Sequence, residues 1–326
     1  MSVLEFRVAI RDAIAEELER DPSVIFMGED VGAPGGVFKA TPGLVERFGP
    51  ERVMDTPISE LALASAAFGA AATGLRPIIE IMFGDFMALA MDSLVNQSAK
   101  YWYISNEQAS IPLVVRSAVG GGGRFGAVHS QIHGTWFQGI PGLKIAMPST
   151  SGEAKGLLKG AIRDPNPVIF LEHKRLYSVK DEVDDPVEAI ELGQARVARA
   201  GDDLTIVSIG KGVRDALAAA DQLAGAGIDA EVVDLRTLRP LDLATVLESV
   251  ARTNRLLAVE EGPRTGGWAT GLVGAIAEAA LHDLDDAWIV ATDETPIPYS
   301  PTLEDAFMKN AEAIAADVQA RLSAAV

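Results

Sequence analysis

The sequence predicts an α/β protein built as two mainly parallel-sheet domains. Short apolar runs alternate with segments of helical periodicity along the chain, the pattern of strand–helix–strand units whose strands lie parallel and covered on both faces. A charged stretch poor in core residues, Lys180-Asp-Glu-Val-Asp-Asp-Pro186, interrupts that alternation. The length, 326 residues of which 48% are hydrophobic, exceeds one typical domain and suffices for two cores. The expected division is a first domain over 1–179, an acidic linker over 180–203 and a second domain over 204–326.

Each element has a local reason. Residues near 3–20 read as an amphipathic helix, with Val3, Phe6, Ile10, Ala13, Ile14 and Leu18 on one face, stopped by Asp21-Pro22. Val24–Met27 is a short apolar strand, Gly32–Gly36 a loop, 43–48 a short helix and 52–54 a strand. Pro57 and Ser59 are helix-start residues, and Glu60 falls in the first turn of a helix whose residues 61–74 are almost all apolar and small, so it is expected to be buried on all sides. Pro77–Phe83 is a strand; Gly84-Asp85-Phe86 opens a helix to about 104, and 112–116 is a strand. Gly120-Gly-Gly-Gly123 reads as a mobile loop carrying Arg124, Phe125 and His129-Ser130-Gln131. A strand over 143–147, a helix over 151–163 and a strand over 168–171 complete the domain. Beyond the linker, strands at 204–209, 230–234, 255–259 and 288–290 alternate with helices at 212–226, 241–250 and 270–281, and a terminal helix covers 302–322.

Composition excludes several functions. A net charge of −18 argues against nucleic acid, whose backbone it would repel. With no cysteine there is neither disulfide nor thiolate chemistry, and His129, His133, His173 and His282 lack zinc-ligand spacing. The N-terminus lacks the apolar run of a signal peptide and no segment reaches membrane-spanning length, so a cytoplasmic protein is expected.

The chemistry-bearing residues are sparse. No P-loop or strand-borne Gly-x-Gly-x-x-Gly occurs, and Gly120–Gly123 lacks the Lys-Ser/Thr of a nucleotide cradle. His129 and Ser130 are adjacent on a loop with no nucleophile elbow, a poor basis for Ser-His-Asp catalysis. Asp55, Glu29 and Glu60 are candidates for a carboxylate cluster, open at this level to a glycosidase pair, a metal site or a helix-start carboxylate that complements the macrodipole. Ligands of parallel sheets sit outside the carboxyl ends of the strands, where Glu29, Glu60, Met82–Phe86 and the glycine loop all fall. Gly84-Asp85-Phe86 with Asn106 departs from the Gly-Asp-Gly…Asn signature for a magnesium-bound diphosphate at its third residue and in its spacing.

Nine stretches in order resemble one family, the beta subunit of the thiamine diphosphate-dependent decarboxylating component of 2-oxoacid dehydrogenase complexes. They are Phe26-Met-Gly-Glu-Asp-Val31, Asp55-Thr-Pro-Ile-Ser-Glu60, Gly74-Leu-Arg-Pro-Ile78, His129-Ser-Gln131, Pro141-Gly-Leu-Lys144, Ala154-Lys-Gly-Leu-Leu158, Asp164-Pro-Asn-Pro167, Val233-Asp-Leu-Arg-Thr237 and Thr265-Gly-Gly-Trp268. Each alone is weak; together they span the chain. The resemblance implies a pyrimidine-binding domain followed by a transketolase C-terminal domain, with the cofactor at the interface of an α2β2 heterotetramer and its Mg2+ and diphosphate held by the alpha subunit.

The same resemblance implies residue roles. Glu60 matches the glutamate that hydrogen-bonds N1′ of the aminopyrimidine and favours the imino tautomer, whose 4′-nitrogen takes the C2 proton. Met82 and Phe86 match the pocket's apolar lining, Glu29 is a candidate either to support the site or for a structural role, and His129 matches the loop histidine that faces the channel to C2 and assists substrate binding or acyl transfer to the lipoyl arm. Several members hold a structural potassium ion; the matching positions are Leu113, Ala161, Ile162, Asp164 and Asn166. The family's beta subunit docks the basic binding domain of the lipoyl acyltransferase core through its C-terminal domain, where Asp283, Asp285, Asp286, Glu304 and Asp305 are candidate contributors, each alternatively part of a solvated acidic face. The implied reaction is oxidative decarboxylation of pyruvate or a branched-chain 2-oxoacid, or acetoin cleavage, with acyl transfer to lipoamide. The run Glu172–Lys180 leans toward the acetoin or pyruvate type. A transketolase or deoxyxylulose-phosphate synthase subunit predicts a basic phosphate cluster, and an electron-transfer subunit predicts a phosphate-cradling loop; neither feature is found.

Overall fold

The computed structural model describes residues 1–324 and separates into two compact units, one formed by residues 1–119 and 136–192 and one by 120–135 and 193–324. Chain order in the first unit is β1 (Ser2–Glu5), α1 (Phe6–Arg20), β2 (Val24–Gly28), α2 (Leu44–Phe48), β3 (Val53–Asp55), α3 (Glu60–Ala72), β4 (Arg76–Ile81), α4 (Tyr101–Ile104), β5 (Val114–Val119), α5 (Gly134–Gln138), β6 (Lys144–Ala146), α6 (Ser151–Arg163), β7 (Val168–His173) and β8 (Lys180–Val183). Its six central strands lie in the order β6-β7-β5-β4-β2-β3 and run parallel. Strands β2, β5 and β7 are buried along their whole length, which is why they read as mainly apolar runs, broken in β5 by Arg116 and in β7 by Glu172.

Helix α1 buries Phe6, Ile10, Ile14 and Leu18 in the same core as Phe26, Ile78, Leu157, Leu158 and Phe170. Ion pairs join α1 to α6: Arg163 reaches the fully buried Glu17 at 2.6 Å, and Lys155 and Lys159 reach Glu16 at 2.6 and 3.0 Å. Val3, expected on the helix face, instead lies 67% exposed in β1. That strand pairs antiparallel with β8, Ser2 opposite Val183, so the stretch expected to begin the linker is tied to the N-terminus.

The second unit contains β9 (Arg196–Arg199), β10 (Leu204–Ser208), α7 (Lys211–Ala224), β11 (Ala230–Asp234), β12 (Thr237–Arg239), α8 (Leu243–Thr253), β13 (Arg255–Pro263), α9 (Trp268–Ala280), β14 (Asp286–Thr292), α10 (Pro301–Phe307) and α11 (Ala311–Ala324). A five-stranded sheet has the order β14-β13-β10-β11-β9, parallel except for β9, which runs antiparallel to β11. Its core joins Leu204, Ile206, Val213, Leu223, Val232 and Leu257 to Trp288, Ile314 and Val318.

Three expectations are corrected. Residues 180–203 hold β8 and β9, whose mostly part-exposed residues carry no apolar run. The helix expected over 84–104 is a 3-10 segment (Gly84–Ala90), a π-helical segment (Asp92–Ser98) and α4; the Ser98 hydroxyl donates to the Ser93 carbonyl at 2.9 Å, five residues back, and the Ala99 amide donates to the Leu94 carbonyl, which matches the wide winding. The terminal helix divides at Met308, whose backbone is extended. Among the described residues no helix is long and apolar enough to cross a membrane.

Candidate active site

The parallel register of the first unit brings the ends of β3, β2, β4 and β5 side by side. Gly28 pairs with Asp55 on one side and Glu80 on the other, and Glu80 pairs with Arg116. The segments leaving these strands therefore share one rim: Glu29 after β2, the 56–59 turn and Glu60 after β3, and Met82, Phe83 and Phe86 after β4. The Thr56 amide donates to the Gly28 carbonyl at 2.9 Å and anchors the turn before Glu60.

Glu60 is the first residue of α3 and only 8% exposed. Among the described residues no hydrogen bond or ion pair engages its carboxylate. Its charged neighbour is another acid: burial pushes the Glu29 carboxyl up, and the carboxylates of Glu60 and Asp30 push it further. A buried carboxylate facing a second one, with no protein donor, is suited to a ligand that brings its own N–H. Asp55 is not part of this pair, because its Oδ1 accepts from the Gly32 amide at 2.7 Å. No group of three or more His, Cys, Asp or Glu among the described residues is placed to hold a metal ion.

Helix α3 corrects the expectation of complete burial. Leu63, Ala64, Ala67 and Ala71 are buried, whereas Leu61, Ala62, Ser65, Ala66 and Gly69 form an exposed apolar, small-residue face. Hydropathy alone does not separate a core helix from one whose cover lies outside the chain.

Behind the rim lies a buried charge network that the strand-by-strand reading missed. Arg116, 1% exposed, donates to both oxygens of Glu172 at 2.7 and 2.8 Å and to Glu80 at 2.7 Å; the Tyr177 hydroxyl donates to Glu172 at 2.8 Å. Burial opposes the guanidinium charge, but Glu172 and Glu80 outweigh it and hold Arg116 protonated beyond its ordinary range. Burial pushes the Glu80 carboxyl up despite Arg116, and burial with Glu172 raises the Tyr177 hydroxyl. Met82 lines a small cleft over this network with Phe38, Arg116 and Tyr177. Phe86 meets Phe83 edge-on at 6.1 Å, and Phe83 meets Phe38 at 5.5 Å, so the apolar positions after β4 are fixed by ring packing.

The five positions expected around potassium lie at the end of α6 and at the start of β5. The Arg76 guanidinium donates to the carbonyls of Ile162 and Asp164 at 2.9 and 3.3 Å, and Lys144 pairs with the Asp164 carboxylate at 2.5 Å. Asp164 Oδ1 accepts from the Asn166 amide at 2.9 Å, and the Leu113 carbonyl accepts from Val168. The cations on these oxygens are the protein's own Arg76 and Lys144.

His129 lies in the 120–135 segment, which groups with the second unit and not with Glu60. Its ring Nδ1 contacts the Val128 carbonyl. The glycine loop before it is not free: its amides donate to Glu261 and Glu304. Glu304, expected at a docking surface, is fully buried, Asp305 pairs with Arg124, and Asp286 is bound by Arg321 at 2.7 Å through both oxygens. Only Asp283 and Asp285 of the expected acidic set are exposed without such a pair.

Two family models cover most of the chain: the transketolase pyrimidine-binding domain matches residues 2–180 and the transketolase C-terminal domain residues 193–314. The 2-oxoisovalerate dehydrogenase subunit beta of Bacillus subtilis is 46% identical over 97% of this chain and 98% of its own length. The beta subunit of acetoin:2,6-dichlorophenolindophenol oxidoreductase from Cupriavidus necator is 47% identical over 96% of both chains. The pyruvate dehydrogenase E1 component subunit beta of Rhizobium meliloti is 44% identical over 98% of this chain and 70% of its own. A solved split-gene transketolase, an inactive beta4 tetramer, shares the fold with a TM-score of 0.81 at 23% identity, each chain covered to 98%. With both domain types in the family's order and beta-subunit relatives aligned across nearly the whole chain, the protein belongs to the family of E1 beta subunits of thiamine diphosphate-dependent 2-oxoacid dehydrogenase complexes.

Proposed function

We propose that this chain, paired with an alpha subunit as an α2β2 heterotetramer, supplies the pyrimidine half of the cofactor site for oxidative decarboxylation of a 2-oxoacid, or cleavage of acetoin, with acyl transfer to lipoamide. The observation that carries the reading is Glu60: a buried, unpartnered carboxylate at the strand-end rim. When bound, thiamine diphosphate supplies a carbon nucleophile and electron sink that amino-acid side chains lack. Glu60 would hold a proton at N1′ of the aminopyrimidine, Met82 and Phe86 would line the pyrimidine pocket and exclude water, and Glu29 shares the acidic environment of Glu60. His129 would supply the proton taken up by the departing sulfur when the substrate carbon, with the electron pair left by CO2, bonds to the other lipoyl sulfur; the S–S bond breaks and that carbon reaches the acyl level.

Mg2+ and the diphosphate fall to the alpha subunit, in keeping with the departure of Gly84-Asp85-Phe86 from the diphosphate signature. The exposed face of α3, with Ile58, Leu89, Trp102, Tyr103 and Ile104 also exposed, is the surface assigned to partner subunits. Asp283 and Asp285 are assigned to docking of the acyltransferase core. The Leu113, Ala161, Ile162, Asp164 and Asn166 oxygens would be the ones to hold potassium; melting curves that are identical in potassium and sodium chloride would remove it.

Relatives of nearly equal identity carry the names of branched-chain, acetoin and pyruvate enzymes, so the proposal stops at the substrate class. The test is co-expression with an alpha subunit and assay against pyruvate, branched-chain 2-oxoacids and acetoin. Turnover is expected only from the pair, on at least one of these substrates. Full activity of the beta chain alone would overturn the shared site.

A further inference from the structure

The glycine run was expected to confer mobility, yet its conformation serves a fixed contact. Gly120, Gly122, Arg124 and Gly126 all have positive φ, between 64° and 91°, and alternate with ordinary backbone. Such alternation turns successive N–H groups toward one side, making a concave donor set for an anion. Here the anions belong to the chain itself. The Gly121 amide donates to Glu261 at 2.6 Å, and the Gly122 and Arg124 amides donate to Glu304 at 2.8 and 3.1 Å. The Arg124 guanidinium adds bonds to Glu304 at 2.7 Å, Asp305 at 2.6 Å and the Pro301 carbonyl at 3.1 Å.

The two segments lie in direct contact. A Cβ on Gly121 would lie 2.9 Å from the Met308 sulfur, and one on Gly126 would lie 3.4 Å from the Tyr299 ring. The segment 299–308 thus grips the loop at both ends, with the fully buried Glu304 at the centre. The loop's base is closed by the Gly120 amide donating to the Gln131 carbonyl at 3.1 Å, so His129 sits on a short arm between clamp and closure.

We propose that Glu304, with Arg124, is a positioning residue for His129: it fixes the loop from a place 180 positions beyond Arg124 in the sequence. The proposal rests on the assignment of His129 to acyl transfer, but its structural half stands apart from that assignment. The experiment uses the assembled enzyme with Glu304→Gln, His129→Ala and the double variant. Hydrogen exchange over 120–131 is measured beside lipoamide-dependent turnover and turnover with an artificial electron acceptor.

Glu304→Gln keeps shape and one acceptor but loses the charge that binds Arg124. Exchange over 120–131 should rise in this variant, and the ratio of lipoamide-dependent to acceptor-dependent turnover should fall about tenfold, within the range that small misplacements produce. In the His129→Ala background the ratio should fall no further. Unchanged exchange would overturn the clamp. Faster exchange with an unchanged ratio, or equal loss of both turnovers together with a lowered melting temperature, would reduce Glu304 to a structural clasp. If His129→Ala alone left the ratio untouched, the His129 assignment would fall and the positioning role with it, while the exchange data would still decide whether the clamp exists.

Discussion

Replacing Arg116 by methionine keeps most of the side-chain volume and removes the only cation bonded to Glu80 and Glu172 among the described residues. Arg116 is 1% exposed and makes three charge-assisted bonds of 2.7–2.8 Å to the two carboxylates. Without it, two acids that already repel one another stand buried and uncompensated. Breaking a buried ion pair from one side costs about 3–5 kcal/mol. For a unit of this size the loss corresponds to a fall in melting temperature of about 10 °C. Thermal unfolding followed by circular dichroism measures it. The orphaned carboxyls would escape the penalty by protonation, so the deficit should be smaller at pH 5 than at pH 8. Adding Glu80→Gln and Glu172→Gln to the variant should recover part of the loss. A fall below about 2 °C at pH 8, where the estimate from a buried broken pair is several times larger, would refute the idea that this triad is an interdependent buried unit.

Two further outcomes follow from other parts of the fold. Glu260, 4% exposed at the end of β13, accepts from the Trp268 and Ala269 amides at 3.0 Å each at the start of α9. Burial outweighs those two bonds and pushes its carboxyl up to about 7. The folded state then keeps a proton that the unfolded state releases near its ordinary value, so stability falls as pH rises from about 4.5 to about 7, by at most about 3 kcal/mol. Glu260→Gln should flatten that slope in urea titrations across the window; parallel slopes for both proteins would contradict the assignment. Gly142 has φ +95°, and a Cβ there would come 1.8 Å from the Ala99 carbonyl oxygen. Gly142→Ala should cost about 3 kcal/mol or more, read as a lowered urea midpoint, and an unchanged midpoint would show that this approach is not required.

Much of the architecture was legible because parallel strands buried on both faces announce themselves as apolar runs, as Val24–Met27 and Leu204–Ile209 do. Strands β1, β8 and β9 were not, since Ser2–Glu5, Lys180–Val183 and Arg196–Arg199 leave most residues partly exposed and carry charges. The 84–104 segment shows helical spacing of Met87, Met91 and Leu94, but spacing does not distinguish α winding from adjoining 3-10 and π turns. The Arg116 network left a signal that went unused. Glu80, Arg116 and Glu172 each interrupt an apolar strand, and a charge at such a position requires a partner. Which partner depends on register across three strands, which only the structure supplies.

The place of Glu60 in the first turn of α3 was legible from its helix-start context, and its nearness to Glu29 follows from two adjacent strand ends. The glycine loop misled. Four glycines predict freedom locally, whereas their amides meet carboxylates at positions 261 and 304, separations no local pattern reveals. The acidic residues misled likewise: Glu304 is buried against Arg124, and Asp286 is held at the surface by Arg321.

The most direct test of the central claim is turnover by the assembled alpha–beta enzyme carrying Glu60→Gln, with assembly checked by gel filtration. Glutamine preserves the size of the side chain and removes the carboxyl proton exchange that N1′ requires. The predicted result is an intact heterotetramer whose turnover falls by about 10²–10⁴, the range of a lost general acid–base group. An intact heterotetramer with turnover within about threefold of the parent, far short of that range, would contradict the role of Glu60 and with it the placing of the pyrimidine at this rim.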